Sequence, residues 1–239
     1  MKTTAITLAL SFTLAACGGG GGSTEPQQAP APVVAPLPAK LVIVAAYGDS
    51  TMMGAGVNLT QAPPAIAQGI LTSEVNTLAQ VRNEGVSGTT STQLLEGTDG
   101  AHQAWALSMA ASPAHIVVVN HAINDVHLLT GAERYRQNLI DLTRTAKQAG
   151  KVVVLDTPNP IANGGSLSGV VDPVVLAQFA QIMRDVAAQE GATLCDEDKA
   201  IRAAGLDTLA RLPDGVHPDA TLYAFKGKTL AACLAPLVL

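Results

Sequence analysis

The feature that most constrains this chain is a rhythm: short β-rich runs alternate with longer helical stretches. The runs are "LVIVAAY" (41–47), "AQVRNEG" (79–85), "HIVVVNH" (115–121), "KVVVLDT" (151–157) and "ATLCDE" (192–197). Three of them are apolar almost throughout. Such a strand needs cover on both faces, which helical crossovers between parallel strands provide. The stretches between them, "PAIAQGILTSEVNTL", "DGAHQAWALSMAAS", "GAERYRQNLIDLTRTAKQAG" and "DPVVLAQFAQIMRDVAAQEG", are predicted helices, and a last helix is expected over about 220–235. Two of them end at Gly150 and Gly191, the residue type favoured just past a helix C-terminus. The expected fold class is α/β: a three-layer α/β/α domain with a mainly five-stranded parallel sheet.

The rhythm starts near Lys40, and the preceding segment has a different character. Lys2 gives a small positive start, and "AITLALSFTLAA" is apolar but too short to span a bilayer comfortably. It ends in "LAAC" (14–17), which resembles a bacterial lipobox. That resemblance implies a signal peptide over 1–16, lipidation of Cys17 and anchoring to the cell envelope. With Gly18 as the next residue, it implies outer-membrane sorting in a Gram-negative source. Residues 17–39 are Gly-rich and then Pro/Ala-rich, the composition of a tether. Residues 40–239 are left as one folded domain, long enough to bury a sizeable core. The formal net charge of −5 and the lack of a basic cluster exclude nucleic acid as a partner. Cys195 and Cys233 would lie in an oxidising compartment, so a disulfide and a pair of small buried hydrophobes are both open readings.

In an open parallel sheet, ligands gather beyond the carboxyl ends of the strands. Here those ends run into "YGDST" (47–51), "NEGVSGTT" (83–90), "NHAIND" (120–125) and, after the fifth run, "PDGVHPD" (213–219). Ser50 reads either as part of a helix cap or as a nucleophile. A serine hydroxyl attacks only when a base takes its proton, and a histidine base needs an acid to fix its tautomer. His217 and Asp214, three residues apart, have those identities. The backbone N–H groups of Ser50 and Gly88 and the side-chain amide of Asn124 are candidate donors for an oxyanion hole.

These four blocks, "GDS" at 48–50, Gly88 in "NEGVSG", Asn124 in "AIND" and "DGVH" at 214–217, resemble in order those of the SGNH/GDSL hydrolases. The resemblance spans about 40 to 237. It implies a flavodoxin-like fold, Ser50 as nucleophile, His217 as base, Asp214 as its orienting acid, and Ser50, Gly88 and Asn124 as the oxyanion hole. It implies no cofactor and no metal, and no zinc-binding spacing is present. One departure stands out: Ala122 occupies the place of the glycine in the family's GxND block. The "GxSxG" elbow of the α/β-hydrolases is absent.

The remaining polar stretches carry plainer expectations. His121 and His127 are expected at a strand end or on a helix face. "DEDK" (196–199) reads as a solvated acidic turn. "TPNP" (157–160) and "NGGSLSG" (163–169) read as a mobile wall of the cleft. The expected function is a lipid-anchored serine esterase working through an acyl-enzyme. Its expected substrates are small or short-acyl esters, such as O-acetyl groups on glycans. A lysophospholipase or thioesterase, and a non-catalytic binding lipoprotein on the same fold, are the alternatives.

Overall fold

The structure, a computed structural model, describes residues 39–239. The expected signal peptide, Cys17 and the tether as far as residue 38 lie outside the described residues. The elements, in chain order, are β1 (Val42–Gly48), α1 (Ser50–Met53), a 3-10 turn (Leu59–Gln61), α2 (Pro63–Glu74), β2 (Ala79–Gly85), α3 (Ser91–Glu96) and α4 (Trp105–Ala111). There follow β3 (Ile116–Asn120), α5 (Ile123–His127), α6 (Ala132–Gln148), β4 (Val152–Asp156), α7 (Pro173–Glu190), β5 (Thr193–Cys195), α8 (Glu197–Ala203) and α9 (Ala220–Leu234). The strands form one sheet in the order β2-β1-β3-β4-β5, with every pairing parallel.

Alternate residues of each strand serve opposite layers, as the pleat requires. Ile43, Ala45, Tyr47, Val117, Val119, Val153 and Leu155 face a core with Trp105, Tyr135, Leu139, Phe179 and Met183, from α4, α6 and α7. Val42, Val44, Ala46, Ile116, Val118 and Val154 face Met52, Leu71, Leu230 and Leu234, from α1, α2 and α9. Local signals set the helix limits. Asp172 caps α7 by accepting the N–H groups of Val174 and Val175, Pro173 opens the helix, and Gly191 closes it in the left-handed conformation.

Several expected boundaries are corrected. The stretch 99–112 is helical only over Trp105–Ala111, because the Asp99 carboxylate takes the N–H groups of Ala101 and His102 and forms a turn instead. The first predicted helix stops at Glu74, where Asn76 turns the chain by binding the Leu78 N–H. The fifth strand is only Thr193–Cys195. "DEDK" is not a solvated turn: Asp196 caps α8, and Glu197 and Asp198 are buried in its first turn. Glu197 meets Lys226 of α9 at 2.5 Å, both fully buried, while Asp198 pairs with Arg184 and Arg202. Cys195 and Cys233 are disulfide-bonded, with Cα atoms 5.7 Å apart, joining β5 to α9. Closing that 38-residue separation restricts the unfolded chain by about 4 kcal/mol in the chain-entropy picture.

The order 2-1-3-4-5 has a functional consequence. From β1 the chain crosses to β2 on one side and later to β3 on the other. The crossovers therefore diverge at the carboxyl end of β1 and open a crevice there. Gly48, Gly85 and Asn120 end β1, β2 and β3 level with one another in the ladder.

Candidate active site

Ser50 stands directly above that crevice, at the start of α1. The two readings of "YGDST" turn out to be compatible. Asp49 caps α1 by accepting the Thr51 N–H and hydroxyl, each at 2.9 Å, while Ser50 is left for other work. The glycines of this rim are there for space. A Cβ on Gly48 would lie 2.5 Å from that of Met52, and one on Gly85 would lie 2.5 Å from the Met53 nitrogen. Residues of this size let the short helix sit tightly on the strand ends.

The Ser50 hydroxyl lies 2.9 Å from His217 Nε2, and His217 Nδ1 lies 2.7 Å from Asp214 Oδ2. With Nδ1–H donating to the carboxylate, Nε2 is left as the acceptor facing the serine proton. The other Asp214 oxygen accepts the N–H groups of Val216 and His217, at 2.8 and 2.7 Å. Burial tends to raise the Asp214 pKa, but these hydrogen bonds more than offset it and hold the carboxyl below its ordinary value. The neighbouring acids are committed elsewhere. Asp49 is buried under α1, and burial raises its pKa; Asp219 caps α9 and pairs with Arg211.

The three donor candidates come from three adjacent strand ends. The N–H groups of Ser50 and Gly88 have no protein acceptor among the described residues. The Asn124 amide nitrogen donates one hydrogen to Thr89 O at 3.1 Å, which fixes the side chain with its second N–H still available. Asp125, next to it, accepts the N–H and hydroxyl of Ser91 and so ties α5 to the loop carrying Gly88. Burial pushes the Asp125 pKa up to about 6, the bonds from Ser91 opposing it. Ala122 has φ −173°, outside the left-handed region that would call for glycine, so the departure from GxND is not opposed on that ground.

This constellation lies within the span matched by a known domain family. A family model described as "GDSL-like Lipase/Acylhydrolase family" matches residues 46–225, from within β1 into α9. The chain belongs to this family. It is accordingly a hydrolase acting on ester bonds. Among solved structures, this GDSL-like hydrolase resembles an acetylxylan esterase from Geobacillus stearothermophilus, at 20% identity and a TM-score of 0.64, over 82% of this chain and 94% of the other. It also resembles a lipase/acylhydrolase from Enterococcus faecalis, at 16% identity and a TM-score of 0.66, over 82% and 97%. A third, TesA, shares 24% identity with a TM-score of 0.63, over 82% and 99%. At these identities the likeness is one of fold. The comparison with curated proteins gave no match.

The other polar stretches of this hydrolase support the site rather than line it. "TPNP" is buried, and Asn159 within it donates to Val216 O, behind the histidine turn. "NGGSLSG" buttresses the same turn: the Leu167 N–H donates to Asp214 O, and a Cβ on Gly165 would lie 2.3 Å from the Asp214 carbonyl carbon. His121 is buried just past β3, and His127 ends α5 with Nδ1 3.1 Å from Val170 O. No group of three or more His, Cys, Asp or Glu among the described residues is arranged to hold a metal.

Sequence reasoning missed a second histidine–aspartate pair, Asp99 and His102, although the string Asp-Gly-x-His occurs twice in the chain. It also missed the fully buried pair Lys226–Glu197, because nothing local distinguishes a lysine in α9 from an exposed one.

Proposed function

We propose that this protein is a serine esterase that acts through an acyl-enzyme. The observation that carries the reading is the continuous hydrogen-bond chain Ser50–His217–Asp214 at the crevice of the sheet. Ser50 Oγ attacks the ester carbonyl carbon as His217 Nε2 takes its proton. The resulting oxyanion accepts hydrogen bonds from Ser50 N–H, Gly88 N–H and Asn124 Nδ2. His217 then protonates the leaving alcohol, and the acyl group stays on Ser50. A water molecule, deprotonated by the same nitrogen, releases the acid. Asp214 stabilises the imidazolium that forms in each half.

The proposed substrates are small or short-acyl esters, O-acetyl groups on glycans among them. The acetylxylan esterase among the similar structures is consistent with this, as is the expected position outside the cell. Anchoring through lipidated Cys17, with residues 18–39 as tether and the outer membrane as destination, belongs to the same proposal. Its support is the "LAAC" junction. The retained triad favours turnover over a binding-only role.

The test is a p-nitrophenyl ester series of increasing acyl length, run with the Ser50→Ala protein as control. Acetate is expected to be the best substrate and the variant inactive. Preference for long chains would replace the short-acyl reading with a lipase-like one, and undiminished turnover by Ser50→Ala would remove the serine mechanism. Metabolic labelling with a fatty-acid analogue should mark the wild type and not Cys17→Ser.

A further inference from the structure

Beside the triad lies a cleft of about 520 Å³ that Asp214 and His217 line on one side and that the oxyanion hole does not use. Ala55, Val57, Pro218 and the exposed Ala220 give its lining an apolar part, Asp219 also borders it, and the exposed Asn58 and Gln61 stand at its rim. The volume suits a small-molecule site. Its position relative to the chemistry is set by the two ends of the triad. The carbonyl oxygen turns toward Gly88 and Asn124, which follow β2 and β3. The leaving oxygen must come within hydrogen-bond reach of His217 Nε2 to collect its proton. The alcohol half of the ester therefore departs past His217, along the wall this cleft shares.

The rim has a particular polarity. Asn58 Oδ1 accepts the N–H and hydroxyl of Thr60, and Gln61 Oε1 accepts the Asn58 N–H at 3.2 Å. Both acceptor ends are consumed in holding the turn. Both amide nitrogens are without a protein acceptor among the described residues. The side chains are thus held in place by their oxygens while their N–H groups are left for a ligand. A partly apolar lining beside fixed amide donors matches a pyranose, which has a C–H face and a rim of hydroxyl oxygens.

We propose that this cleft is the alcohol subsite of the esterase and that it takes a sugar or similar cyclic polyol, with Asn58 and Gln61 donating to its hydroxyls. The proposal rests on the esterase reading above and names its substrate class.

The experiment compares two acetates with one acyl group and different alcohols, using the purified full chain. One is a methyl pyranoside carrying a single O-acetyl group; the other is methyl acetate, whose alcohol is too small to reach the rim. The quantity read is the ratio of their kcat/KM values. Wild type should favour the sugar ester by tenfold or more. Gln61→Glu removes the donors and keeps the oxygen that holds the turn, and should lower the ratio about tenfold, the effect of one or two hydrogen bonds. Ala220→Trp fills the cleft from the exposed first residue of α9 without touching the turn, and should lower it as much. An unchanged ratio in both variants would overturn the proposal. So would a wild type that cleaves methyl acetate but no sugar acetate, a result that leaves the esterase standing. A shift in acetate-over-butyrate preference at constant alcohol would make the cleft an acyl pocket instead. Failure to cleave either acetate would remove the esterase reading itself.

Discussion

The chain builds the same turn twice and gives it two different neighbours. Asp214-Gly-Val-His217 and Asp99-Gly-Ala-His102 share spacing and hydrogen bonds. In each, one carboxylate oxygen accepts two backbone N–H groups, at 2.8 and 2.7 Å in the first and 3.0 and 2.8 Å in the second. The other oxygen meets the histidine Nδ1, at 2.7 and 2.6 Å. Gly215 and Gly100 both take the positive φ the turn needs, 96° and 83°. In both, burial works to raise the aspartate pKa and the histidine bonds outweigh it, so both carboxyls are held low. The difference lies at Nε2. His217 faces the Ser50 hydroxyl at 2.9 Å; His102 faces the Glu84 carboxylate at 3.6 Å, its ring edge-on to Tyr47. An oriented histidine is thus a local product of four residues. Only the one brought to a hydroxyl has a proton to move, while the other clasps the loop before α4 onto β2.

The largest expected effects follow from that contrast. Ser50→Ala and His217→Ala should each lower kcat by about 10⁴-fold or more, and the double variant should be little worse than either single one. Asp214→Asn should also cost about 10⁴-fold, because the asparagine favours the wrong tautomer. The matching changes His102→Ala and Asp99→Asn should cost less than tenfold in rate and act instead on stability, by about 1 kcal/mol per lost hydrogen bond. Kinetics and urea unfolding on the six variants check this. A rate loss in Asp99→Asn that rivals Asp214→Asn would break the comparison and bring the second turn into the chemistry.

A middle-sized effect is expected beyond the triad. Asn124→Ala should lower kcat by roughly 10²–10³-fold and change KM less, since the amide acts on charge that develops during attack. A change confined to KM would place Asn124 on the ground-state substrate.

The smallest effect concerns a third histidine, one with no acid partner at all. His121 lies buried, with Nε2 3.3 Å from the Thr89 hydroxyl and Nδ1 unpartnered. Burial pulls its pKa down to about 4; nearby Asp99 opposes this weakly. The unfolded chain binds this proton near 6.5 and the folded one does not until about 4, so stability is lost as pH falls through that window. The loss attributable to His121 approaches about 3 kcal/mol. Urea unfolding at pH 7 and pH 4.5 should show wild type losing about 2–3 kcal/mol more than His121→Phe. Asp125, whose raised pKa acts in the opposite direction over part of that range, is common to both proteins and cancels. Parallel losses in the two proteins would mean that His121 is already solvated in the folded state.

Much of the architecture was legible because its signals are repetitive. The runs 79–85, 115–121 and 151–157 each contain the observed strand, 41–47 misses only Gly48 of β1, and α6, α7 and α9 lie within a residue or two of expectation. The failures are instructive in kind. The stretch 99–112 carries enough Ala and Leu to read as helix, but Asp99 offers the backbone a competing set of hydrogen bonds and wins the first turns. "DEDK" looks solvated by composition and is buried because α9 brings Lys226 over Glu197. The four-residue α1 has no apolar period to detect; only its Asp49 cap announces it.

By itself, the sequence determined the layered sheet, the glycine- and polar-rich strand ends, and both Asp-Gly-x-His turns. Each depends on residues a few positions apart, and short-range sterics and hydrogen bonding act at that distance. Tertiary structure alone decided which turn meets a serine hydroxyl. Ser50 and His217 are 167 residues apart, and they meet because the strand order 2-1-3-4-5 opens a crevice at the end of β1 while α9 packs behind it. The same packing placed Cys195 beside Cys233 and buried Lys226 against Glu197. No local pattern encodes those meetings, because they are set by how whole layers bury their apolar faces.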